Sequence, residues 1–134
     1  NFSFISIFEA KIFSGLSKGV KNQQDYNQVS RTIACLINLI METKGRNDYT
    51  AFFTVIYPES NYKIKPNEYN KKSIYESIMN RLDDCKVNPW EDDWIEVLNS
   101  IKIQFVTLEE IIEEINEPKL YSYYNSCLTY NKNS

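Results

Sequence analysis

Two apolar runs of strand length, residues 2–8 and 49–57, flank one long helix-period stretch, and this order constrains the fold more than any other feature. Between them, Val29, Ile33, Leu36 and Ile40 recur at helical spacing, with Ala34, Ile37 and Met41 widening the stripe. The spacing predicts a buried helix over residues 26–43, with Asp25 as its N-cap and Gly45 beyond its end. A strand, a helix and a second strand in this order make a crossover. The two strands are therefore expected to be parallel neighbours, with the helix packed over them in the right-handed sense. Both faces of the first run are apolar: Ile5 and Ile7 on one, Phe4 and Phe8 on the other. That predicts a central strand covered on both sides.

The first run ends in Glu9-Ala10-Lys11. Strand side chains alternate faces, so Glu9 and Lys11 point the same way, about 7 Å apart along the strand. Open α/β sheets present reactive groups at the carboxyl ends of their strands. A glycine-, serine- and lysine-rich loop follows, carrying Lys18 and Lys21. Such a loop can offer backbone N–H and ammonium groups to phosphate, although it lacks the spacing of a Walker A loop. Gln28 and Arg31 stand one turn apart at the start of the predicted helix, which places them near Glu9 and Lys11.

Composition narrows the chemistry. The 134 residues include no histidine, so every imidazole mechanism is excluded. Cys35, Cys85 and Cys127 are odd in number and widely spaced, which suits neither a zinc site nor a disulfide framework. A metal here would be a hard ion on oxygen ligands, Mg²⁺ or Mn²⁺. Net charge is −3, but it is unevenly spread. Residues 1–46 carry six basic groups against three acidic ones, for +3, while residues 83–117 carry two against eleven, for −9. The Glu-Ala-Lys end is thus the basic end, and local field matters more than the sum. No apolar stretch reaches the roughly 20 residues of a membrane span. No membrane partner is expected, and the expected compartment is the cytoplasm. The chain opens on Asn, and the expectation is a fragment whose upstream part is missing.

Further along, Asn67 is expected to cap a helix over residues 68–82, and a short acidic helix spans residues 90–100 with Trp90 and Trp94 as core or staple residues. Residues 101–106 alternate cleanly, as a half-exposed edge strand does. Thr107 and Glu110 form a capping-box pattern that opens a helix to about residue 117. The first 117 residues are read as one domain. The Tyr- and Asn-rich tail, residues 118–134, is read as a docked helix with a frayed end.

Phe8-Glu9-Ala10-Lys11 at the end of an apolar strand, followed by a buried helix and another strand, resembles the PD-(D/E)XK nuclease superfamily, the restriction-endonuclease-like fold. The resemblance covers residues 2–57. It implies an α/β domain with a small mixed sheet, a parallel strand-helix-strand unit and additional C-terminal helices. It implies Glu9 as metal ligand with the Ala10 backbone carbonyl beside it, and Lys11 as catalytic lysine. The stretch from Tyr26 to Arg31 resembles a helix motif of some members, which implies a catalytic role for Gln28. Lys18, Lys21 and Arg31 would then engage phosphates of a nucleic acid, DNA foremost. The family's metal-binding Asp lies upstream of the Glu, and no Asp precedes Glu9 in this chain. The expectation is a Mg²⁺- or Mn²⁺-dependent nuclease that is silent as this polypeptide. The alternative is a non-catalytic interaction or nucleic-acid-binding module, with Glu9 and Lys11 a simple ion pair.

Overall fold

The computed structural model describes residues 3–18, 26–43, 49–86, 88, 90 and 93–132. Three strands, β1 (Ser3–Ala10), β2 (Tyr49–Tyr57) and β3 (Lys102–Thr107), form one sheet in the order β1-β2-β3. Both pairings are parallel, with Glu9 beside Val55 and Val55 beside Phe105. The protein is thus α/β, as expected, but the described sheet is wholly parallel and not mixed. A third parallel strand is reached because α2 (Lys71–Cys85) and α3 (Trp94–Ser100) carry the chain back to the starting end of the sheet. The described strands and helices do not by themselves make up a restriction-endonuclease-like core.

Between β1 and β2 runs α1 (Gln28–Glu42). Its N-cap is Asn27, whose side chain accepts from the Ser30 N–H; the expected cap, Asp25, lies outside the described residues. Either residue type can cap, so the cap alone does not set the register of the helix start. Gly45 also lies outside the described residues. A similar shift occurs in α2, capped by Asn70 and not Asn67, because a 3₁₀ turn at Pro66–Glu68 uses the earlier residues. In α3 the helix begins at Trp94, where its apolar stripe starts, and not at the expected residue 90.

The core lies on one face of the sheet. Val29, Ile33 and Ile37 of α1, Ile74 and Ile78 of α2, and Leu98 of α3 close over Ala51, Phe53 and Val55 of β2. Trp94 is buried and Trp90 half-buried, with ring centroids 5.4 Å apart, and the Trp90 indole N–H donates to the Asn38 side chain. Beyond β3, α4 (Leu108–Ile115) opens on the expected capping box, with Thr107 and Glu110 bonded reciprocally. It is followed by α5 (Pro118–Lys132), whose Tyr124 hydroxyl donates to Glu109 at 2.7 Å. Burial and that carboxylate push the Tyr124 hydroxyl well above the ordinary tyrosine range. Among the described residues, no helix is long and apolar enough to cross a membrane.

The opposite face corrects the reading of β1. Ile5 and Ile7 pack on the core, but Phe4 and Phe8 are each 63% exposed. With Phe52, Ile56 and Val106 they line a shallow apolar groove of about 490 Å³. β1 is an edge strand of the described sheet, and one of its faces is open. Open apolar faces and free edges invite association. Phe4→Lys is expected to reduce dye binding by anilinonaphthalene sulfonate and to suppress heat-induced light scattering. Stability should change by no more than about 0.5 kcal/mol, as at other surface sites. Unchanged dye binding would show that this face is not the accessible apolar surface.

Candidate active site at the end of strand β1

Glu9 continues the core face of β1, so its carboxylate emerges under the N-terminus of α1, where the apolar packing stops. Lys11, two residues on, returns to the same side, and its Nζ lies 2.9 Å from Glu9 Oε1. The Gln28 side-chain N–H donates to the same oxygen, also at 2.9 Å. Because Asn27 is the cap, Gln28 is the first residue of the helix, and its side chain reaches forward to the sheet. With Asp25 as cap, Gln28 would lie in the interior of the first turn. Both side chains of the ion pair are largely enclosed, with Lys11 16% and Glu9 30% exposed.

The loop after β1 closes the arrangement. The Ser17 N–H donates to the Gln28 side-chain oxygen at 3.1 Å, and the Gln28 N–H donates to the Ser17 carbonyl at 2.9 Å. Arg31 donates to the Ser17 hydroxyl at 2.9 Å. Glu9, Lys11, Gln28, Ser17 and Arg31 are therefore one polar network built from β1, its loop and the first turn of α1. Arg31 joins through Ser17 and has no direct contact with Glu9 among the described residues. Lys18 turns toward α2, where it lines a cleft with Asn27. Lys21 lies outside the described residues.

Two participants carried no recognisable signal in the sequence. Ser17 sat within the loop marked for phosphate, but nothing singled it out from Ser14. Asn61 lies some 50 residues after the strand it serves. Its side-chain N–H groups donate to the Lys11 and Ser14 carbonyls, both at 3.0 Å, and it is buried. It ties the loop after β2 to the loop after β1.

A divalent ion fits this centre in part. The Lys11 and Gln28 contacts of the Glu9 carboxylate both fall on Oε1, and Oε2 receives none among the described residues. The Lys11 N–H bonds to the Ile56 carbonyl, so the backbone groups of Glu9 and Lys11 face β2. By alternation the Ala10 carbonyl faces the free edge. One carboxylate oxygen and one carbonyl are hard ligands of the right kind for Mg²⁺ or Mn²⁺. Among the described residues, however, no group of three or more carboxylate, thiolate or imidazole ligands comes together. A second carboxylate would have to be supplied from outside them. No protein-family model, no curated protein and no solved structure matches this chain.

Proposed function

We propose that the β1–α1 end of this protein is the strand-and-helix half of a metal-dependent nuclease centre that hydrolyses phosphodiester bonds of nucleic acid, DNA foremost. The observation that carries the reading is the convergence of Lys11 and Gln28 on one oxygen of Glu9. Gln28 and Lys11 hold the carboxylate in a single orientation, which leaves Oε2 as the ligand atom. When bound, the ion supplies a water of lowered pKa. Lys11, released toward substrate, offsets charge that develops on the phosphoryl oxygens. Arg31 and Lys18 hold the neighbouring backbone phosphates. Hydrolysis forms a bond between phosphorus and the water oxygen and breaks the bond to the leaving sugar oxygen, which takes up a proton. With Glu9 as the one carboxylate assigned to it among the described residues, the centre is incomplete there, and this polypeptide alone is expected to be catalytically silent.

The test is Mn²⁺ binding read residue by residue, since the acidic segment 83–117 will also attract the ion. Paramagnetic broadening of the Glu9, Ala10 and Gln28 amide signals is expected. It should disappear in Glu9→Gln and strengthen in Lys11→Met, where no ammonium competes for the carboxylate. Broadening confined to residues 83–117 would overturn the metal reading. That outcome would favour the second reading, a non-catalytic module on the same scaffold in which Glu9 and Lys11 are an ion pair.

A further inference from the structure

A second polar site adjoins the first. Between the β1–α1 loop and α2 lies a cleft of about 370 Å³, within the size range of small-molecule sites. Lys18 and Asn27 line one side; Tyr69, Ser73, Glu76 and Asn80 line the other. Lys18 directly follows Ser17, and Asn27 directly precedes Gln28, so the cleft begins one residue from the Glu9 network on both segments. The Asn27 oxygen is committed to the Ser30 N–H, which leaves its amide N–H groups as donors. Glu76 and Asn80 are one helical turn apart on α2, and among the described residues neither has a hydrogen-bond or ion-pair partner. Tyr69 has one ring face stacked on Phe105, at 5.7 Å between centroids, which fixes it as a wall of the cleft.

We infer that this cleft is a nucleobase subsite: it takes one unstacked base of the nucleic-acid strand whose phosphates lie at Lys18 and Arg31. The inference rests on the nucleic-acid part of the function proposed above. A base needs an edge-on set of donors and acceptors and an aromatic wall, and single-stranded nucleic acid is read in this way. The cleft pairs an acceptor-only carboxylate, Glu76, with an amide that can both donate and accept, Asn80. A carboxylate at that position favours bases with an exocyclic amino group. Cytosine and adenine offer such a donor, as in carboxylate recognition of cytosine N4 and amide recognition of adenine. Thymine presents a carbonyl oxygen there, which the Glu76 carboxylate repels. Lys18 stands at the mouth for the phosphate, while the Glu76 carboxylate faces the base. The charges thus set the direction in which a nucleotide enters.

The experiment is fluorescence anisotropy with short labelled single-stranded homopolymers of adenine, cytosine and thymine, and with a base-free sugar-phosphate strand. The adenine and cytosine strands are expected to bind about tenfold more tightly than thymine, the scale of one good base contact. The double variant Glu76→Gln/Asn80→Ala should remove that difference and leave the base-free strand unchanged. Arg31→Ala should weaken all strands alike. Equal binding of all strands by the unaltered protein, or a preference that survives the double variant, would overturn the subsite and leave nucleic-acid binding standing. No binding of any strand would overturn both. Base selectivity without Mn²⁺ at Glu9 would keep the subsite and remove the nuclease.

Discussion

Phe53→Ala is expected to lower stability by about 3–5 kcal/mol, the range for deleting a buried aromatic side chain. Phe53 sits at the middle of the central strand, is 1% exposed, and belongs to the core cluster that also holds buried residues of α1, α2 and α3. Domains of this kind have only about 5–15 kcal/mol in total, so the loss takes a large part of it. Its neighbour supplies the control. Phe52 faces the open side of the sheet, with the Lys102 ammonium 5.5 Å from its ring centroid. Phe52→Ala forfeits a half-covered ring and one weak cation–π contact, a loss of about 1 kcal/mol. Urea unfolding followed by circular dichroism would compare the two midpoints. Similar shifts for both would mean that the core is not confined to one face.

Asn61→Ala is expected to cost about 1–3 kcal/mol, because it removes the two hydrogen bonds by which a buried side-chain amide holds the Lys11 and Ser14 carbonyls. The effect should spread to the candidate site. Asn61 anchors the Lys11 and Ser14 carbonyls, and the chain between them and Ser17 sets where Gln28 and Arg31 find their partners. Amide exchange at Ser17 and Gln28 should therefore rise more in Asn61→Ala than in a variant of equal stability loss elsewhere in the core. Asn61→Asp should be at least as damaging at neutral pH, since a carboxylate cannot donate to a carbonyl. Equal exchange in the two destabilised variants would show that Asn61 supports the fold without positioning the site.

Lys71 illustrates how far such anchoring is distributed. It opens α2, yet its ammonium donates to the Leu98 and Ile101 carbonyls and closes the end of α3. Burial pushes its pKa below the ordinary lysine value. Nothing in the Asn-Lys-Lys-Ser stretch at the helix start announces that contact, since the partners lie about 30 residues away.

What was legible in the chain was local. The apolar stripe of α1, the two β-branched and aromatic runs, the parallel crossover and the Thr107–Glu110 capping box all depend on residues within a few positions of one another. Glu9 and Lys11 fell on one face for the same reason, since alternation is a property of the strand itself. The same local signals could not tell β1 from a central strand. Phe4 and Phe8 make that face fit for burial, but whether anything covers it depends on partners distant in sequence. Nor could they choose Asn27 over Asp25 as the cap, a difference of two residues that turns Gln28 toward Glu9. The direction of β3 depended on the combined length and packing of α2 and α3. The placement of Asn61 depended on two loops meeting across the sheet. In each case the deciding energy is a long-range contact, which a sequence pattern can permit but does not specify.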